Sequence, residues 1–273
     1  MPSAPTARTL DVPGAHLHHE VRGTGPLVVL VGAPMDAEAF APLADLLAVD
    51  HTVLTTDPRG IRRSTLDDPD QDSTPQLRAD DLARLIAYAD AGPAVVFGSS
   101  GGAVTALAHA QAHPEHVRVV IAHEPPLDEL LDERAELRAR TEEMISTYLA
   151  GDVLGAWRAF FATAGFELPD AVLHEMFGGE RAPQQVADER RWFAHELRHT
   201  VAWLPDVEAL RALGPRLVVA IGEESAGRLC DRTSRALAAA LGSEPVLFPG
   251  GHTGFAEDPE AFEPRLRKLL SPL

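Results

Sequence analysis

Gly98-Ser99-Ser100-Gly101-Gly102 sets a serine in a G-x-S-x-G pattern, directly after the apolar run Ala94 to Phe97 and directly before the small-residue helical run Gly101 to His113. A serine in a sharp turn from strand to helix is lifted clear of the backbone and exposed as a nucleophile. The turn is strained, so its neighbours must be small. The helix that follows offers backbone N–H groups to developing negative charge. Ser100 is therefore the candidate nucleophile, and Ser99 fits the variable position. A serine hydroxyl needs a base to activate it. Of the 12 histidines, His252 fits, because it lies in the glycine-rich stretch Pro249-Gly250-Gly251-His252-Thr253-Gly254 after the last apolar run. A loop there can carry an imidazole over the serine, and a histidine placed last in the chain suits this nucleophile motif. Its Nε2 would take the serine proton and return it to the leaving group.

A second pattern competes. His195-Glu196-Leu197-Arg198-His199 fits H-E-x-x-H, which at helical spacing sets two imidazoles on one face, as in zinc proteases. Arg198 would put a cation beside the metal, and no third ligand stands nearby in sequence. The expectation is no metal and no organic cofactor, with these residues on a polar helix of an insertion.

The elements that must position Ser100 and His252 follow from the alternation of short apolar runs with longer helical patterns, the signature of a parallel sheet with crossover helices. Strands are expected at His16–Arg22 (an antiparallel edge hairpin), Leu27–Val31, His51–Thr56, Ala94–Phe97, Val117–Ala122, Arg216–Ile221 and Glu244–Phe248. Helices are expected at Thr74–Ala89, Gly101–His113, Ser225–Leu241 and Pro259–Leu270. From about Pro125 to Leu204 the strands stop and only helical segments occur. The domain reading is a core of residues 1–124 and 205–273 interrupted by a helical cap of residues 125–204.

Together these motifs resemble the α/β-hydrolase superfamily over nearly the whole chain. Leu27-Val28-Val29-Leu30-Val31-Gly32-Ala33-Pro34 looks like that family's strand and oxyanion loop, with Val31 where a histidine is usual. Asp57-Pro58-Arg59-Gly60 ahead of Arg63-Ser64 resembles its D-x-R-G-x-G-x-S segment, with Arg62 in place of the second glycine. The resemblance implies an α/β fold with a mostly parallel eight-stranded sheet flanked by helices. It also implies a helical lid after strand 6, and an oxyanion hole made by the N–H groups of Ala33 and Gly101. Asp57 and Arg59 are expected to hold loops rather than touch substrate.

The acid departs from the family pattern. An aspartate usually stands three residues after the glycine that follows the seventh strand, and here that position is Ser225. Two carboxylates remain. Glu124, at the end of the preceding strand, occupies the place some haloalkane dehalogenases use, and is the first choice. Glu224 is the alternative.

All three tryptophans, Trp157, Trp192 and Trp203, and five of the ten phenylalanines fall in the insertion. Collectively they suggest an apolar roof over Ser100, with Trp157, Phe161, Trp192 and His195 as candidate substrate contacts. The expected activity is a serine hydrolase acting through an acyl-enzyme on a small or medium, largely apolar ester, lactone or thioester. The same fold also hosts C–C cleavage, lyase, epimerase and cyclase chemistry, or ligand binding, and fold does not choose among them. A net charge of −17 argues against nucleic acid or anionic membrane as partners. With one cysteine, no basic leader and no apolar span of membrane length, the expectation is a cytoplasmic monomer or homodimer acting on a small molecule.

Overall fold

A computed structural model describes residues 4–270. Its sheet comprises β1 (Thr6–Val12), β2 (Ala15–Arg22), β3 (Leu27–Val31), β4 (Thr52–Thr56), β5 (Thr65–Leu66), β6 (Ala94–Ser99), β7 (Val117–His123), β8 (Leu217–Gly222) and β9 (Val246–Phe248). Eight of them run in the order β1-β2-β4-β3-β6-β7-β8-β9, and the two-residue β5 pairs with β2 off that path. Pairings from β4 through β3, β6, β7 and β8 to β9 are parallel; β1–β2 and β2–β4 are antiparallel.

The helices are α1 (Ala41–Leu47), α2 (Pro75–Ala89), α3 (Gly101–Ala112), α4 (Arg134–Leu149), α5 (Val153–Ala164), α6 (Asp170–Phe177), α7 (Pro183–His195), α8 (Leu197–Val201), α9 (Val207–Arg211), α10 (Leu229–Leu241), α11 (Gly254–Glu257) and α12 (Pro259–Leu270). None is long and apolar enough to cross a membrane.

Continuous apolar strands are explained by burial on both faces. With a side-chain period of two, Val29 and Val31 enter one core and Val28 and Leu30 the other; Val96 and Phe97 divide the same way. The first core is closed by α2, α3 and α10 through residues such as Leu82, Val104 and Leu237. The second is closed by α1 and α12 through Leu43, Phe262 and Leu266.

One expectation needs correction. The strand beginning near His16 is not at the edge, because β1 lies outside it and His19 is fully buried. β1 escaped notice because its residues are mostly exposed and lack a clean apolar alternation. The helical segment follows β7, which is the sixth of the eight path strands in chain order.

Helices α4 to α9 lie between β7 and β8, and α4, α5, α7 and α8 share a core of their own, including Met144, Ile145, Trp192 and Phe193. They are fastened to the sheet-bearing part along one side. Ser73 N–H donates to His195 O at 2.8 Å, Arg62 N–H to Asp188 Oδ1 at 2.9 Å, and Arg78 Nη2 to Thr200 Oγ1 at 2.9 Å.

Candidate active site

Ser100 stands between β6 and α3 with φ 56° and ψ −127°, a conformation L-residues rarely adopt. Such a residue costs on the order of 1–3 kcal/mol and persists only where its surroundings fix it. Here Ser100 N–H donates to His123 O at 2.9 Å, and Ser100 O accepts from Ala103 N–H at 2.9 Å as the helix begins. The glycines around it are required by close backbone approach. A Cβ on Gly98 would overlap the Gly102 carbonyl, one on Gly102 the Val31 carbonyl, and one on Gly101 the Ala33 carbonyl. Gly102→Ala is therefore expected to cost about 3 kcal/mol or more of stability, read by chemical denaturation. An unchanged unfolding midpoint would mean that the elbow can relax.

The contact between Gly101 and Ala33 brings together the two residues expected to supply oxyanion donors. The strand order accounts for it, since β3 and β6 are parallel neighbours and both segments leave the same end of the sheet.

The next neighbour, β7, is followed directly by Glu124, which also has positive φ (53°). Its carboxylate is almost wholly buried and doubly engaged. Oε1 accepts from Gly222 N–H at 2.8 Å, and Oε2 lies 2.6 Å from His252 Nδ1, which donates its proton to it. Burial pushes this carboxyl upward, but the hydrogen bond and charge of His252 outweigh that and hold it at about 2. The histidine loop reaches the pair because Gly250 takes φ 80° and Gly222 leaves room for the carbonyls of Gly250 and Gly251. Cys230, at the start of α10, completes the surroundings: its Sγ and the ligand atoms of Glu124 and His252 all lie within 4.8 Å of one another.

Glu224, the alternative acid, is exposed and makes no side-chain hydrogen bond to His252; its backbone N–H donates to Gly250 O at 3.0 Å. Ser225 is fully buried beside Gly251, in the position where the family pattern has its aspartate. Among the described residues Ser100 and His252 share no hydrogen bond, and the imidazole must close on the hydroxyl for proton transfer, an adjustment common when substrate binds. Asp57 accepts from Ala37 N–H and from Arg63, and Arg59 donates to Asp81 and Gln71, so both hold loops as expected.

The candidate substrate contacts are placed differently. Trp157 stacks on Phe177 at 4.1 Å and on Trp192 at 5.2 Å, and its Nε1 donates to Glu189 at 2.6 Å. Phe161 packs on Trp157 and Phe166. These rings pack largely against one another, so part of the aromatic excess is the insertion's own core. The H-E-x-x-H segment is not one helix, because the chain breaks at Glu196 between α7 and α8. His195 and His199 both face Asp72, at 3.0 and 3.1 Å, while Glu196 is buried near Arg78. Asp72, 123 residues from His195, carries no sequence signal for that partnership.

Residues 27–265 match the model of the alpha/beta hydrolase family. The chain is 34% identical to the uncharacterised hydrolase YraK of Bacillus subtilis over 267 residues, covering 96% of this chain and 95% of that one. It is 29% identical to a zearalenone hydrolase of Bionectria ochroleuca over 67% of this chain and 64% of that one. Its fold is similar to that of a solved alpha/beta hydrolase from Sphaerobacter thermophilus, with TM-score 0.71 at 24% identity over 97% of this chain and all of the other. A family match over most of the chain, from β3 into α12, joined to a relative matching nearly the full length of both chains, makes this chain a member of the alpha/beta hydrolase family.

Proposed function

We propose that the protein is a serine hydrolase of small, largely apolar esters, lactones or thioesters, working through an acyl-enzyme. The observation that carries this reading is the 2.6 Å contact of Glu124 with His252, next to a serine held at positive φ at the head of α3. Hydrolytic chemistry itself agrees with the family and with relatives named as hydrolases, zearalenone hydrolase among them.

In this reading Ser100 Oγ attacks the acyl carbon as His252 Nε2 removes its proton. Glu124 accepts the Nδ1–H bond, holds the ring in the tautomer that leaves Nε2 free, and stabilises the imidazolium. The N–H groups of Ala33 and Gly101 receive the oxyanion, an interaction whose loss costs about 10²–10³ in rate. The imidazolium then protonates the leaving group, and a water activated by the same histidine releases the acid.

The aromatic insertion supplies the apolar surface for the acyl chain. The test is a panel of p-nitrophenyl esters, lactones and thioesters followed in the pre-steady state. A burst of leaving group, with amplitude near one per Ser100, is expected. Release of p-nitrophenol without a burst, together with turnover abolished by a chelator, would move the chemistry away from Ser100.

A further inference from the structure

Arg228 stands in the loop between β8 and α10, and its side chain has no ion pair or hydrogen bond among the described residues. Its guanidinium carbon lies 4.1 Å from the ring centre of Phe166, which follows α5 in the insertion. Its Nη1 lies 3.6 Å from where a Cβ on Gly251 would stand, next in the chain to His252. Two residues on, Cys230 touches the neighbourhood of Glu124 and His252. The arginine thus bridges the insertion and the histidine loop at the rim of the site, half-buried.

Helix stability does not explain this residue. Arg228 occupies the N-cap of α10, makes no capping hydrogen bond there, and sets a cation at the positive end of the helix dipole. Nor is it neutralised by the surrounding acids, although the chain carries 41 of them. Glu224 is close, with its Cβ on the same side of Gly251, yet forms no ion pair with it. Asp231 turns away, accepting from Gly227 N–H and from Arg235.

Stacking on an aromatic ring leaves the edge of a guanidinium free, and that edge matches a carboxylate bidentately. We propose that Arg228 binds a carboxylate of the substrate, so that this hydrolase acts on esters, lactones or thioesters whose acyl part carries a free acid. The proposal rests on the reading of Ser100 as nucleophile. It reconciles an apolar, aromatic insertion with a substrate that is anionic at one end, and Phe166 fixes where that end sits.

The probes are two fluorophosphonates of equal length, one ending in a carboxylate and the other in its methyl ester. Their labelling rates are read by intact mass for wild type, Arg228→Gln and Arg228→Lys. Wild type is expected to react faster with the carboxylate probe. Arg228→Gln loses that preference by about 10- to 100-fold while reacting with the methyl ester at the wild-type rate, and Arg228→Lys keeps part of it. The proposal is overturned by an unchanged preference in Arg228→Gln. It is equally overturned by loss of labelling with both probes, which would make Arg228 a structural tether of the insertion. If neither probe modifies wild-type Ser100, the nucleophile reading itself fails, a result distinct from both.

Discussion

Ser100→Ala is expected to lower kcat toward any ester the protein cleaves by about 10⁴- to 10⁶-fold, while leaving the thermal unfolding midpoint within a few degrees of wild type. The magnitude follows from what the substitution removes. In the proposed mechanism the nucleophile disappears, yet the oxyanion donors assigned to Ala33 and Gly101 and the Glu124–His252 pair stay in place. What remains is the modest catalysis that binding and charge stabilisation supply. The fold should survive because the turn is held by backbone hydrogen bonds, Ser100 N–H to His123 O and Ala103 N–H to Ser100 O. The side chain contributes no capping bond to α3. A loss below about tenfold would mean that another group attacks the substrate.

The second large effect belongs to Glu124. Glu124→Gln keeps the shape but presents an amide to His252 Nδ1, favouring the wrong tautomer, and a loss of about 10³- to 10⁴-fold in kcat is expected. Ser225→Asp added to Glu124→Gln should recover at least about tenfold, because Ser225 is buried at the place where an acid would approach the same histidine from β8. No recovery would mean that His252 is reachable only from β7.

The same carboxylate has a consequence for stability. Its folded-state pKa, about 2, lies below its ordinary 4.5. Its ionisation therefore stabilises the fold above about pH 4.5, and this contribution is lost as the pH falls toward 2. The stability gap between wild type and Glu124→Gln should be widest near neutrality and narrow across that window. Denaturant titrations at pH 7, 4 and 3 measure it; a gap that grows on acidification would contradict the pairing of Glu124 with His252.

The elbow and the histidine loop were legible because each is a short pattern with fixed spacing. Ser100 needs small neighbours within two residues, and His252 needs a flexible loop after the last strand. Glu124 was legible only as the first choice of two carboxylates, from the resemblance that sets an acid at the end of this strand, with Glu224 left open. The sheet's interior could be read because continuous apolar strands have few alternatives once helices alternate with them. β1 was not legible: an exposed outer strand pays no hydrophobic tribute in sequence, and its register with β2 is set by backbone pairing.

The insertion is the clearest limit. Its aromatic content was visible, but composition cannot say whether Trp157 and Trp192 face a substrate or one another, and they stack on one another. The H-E-x-x-H residues were expected on one polar helix, but the chain turns at Glu196 and divides them between α7 and α8. Arg228 carried no signal, because Phe166 and Gly251, which define its position, lie 62 and 23 residues away in sequence.

The central claim is that Ser100 is a nucleophile activated by His252. Intact-mass analysis after brief treatment with a neutral fluorophosphonate tests it most directly, using wild type, Ser100→Ala and His252→Ala. The account predicts a single stoichiometric adduct on wild type, mapped to Ser100, none on Ser100→Ala, and labelling slowed by about 10³-fold or more on His252→Ala. An adduct that persists in Ser100→Ala, or that forms as fast without His252, would contradict it.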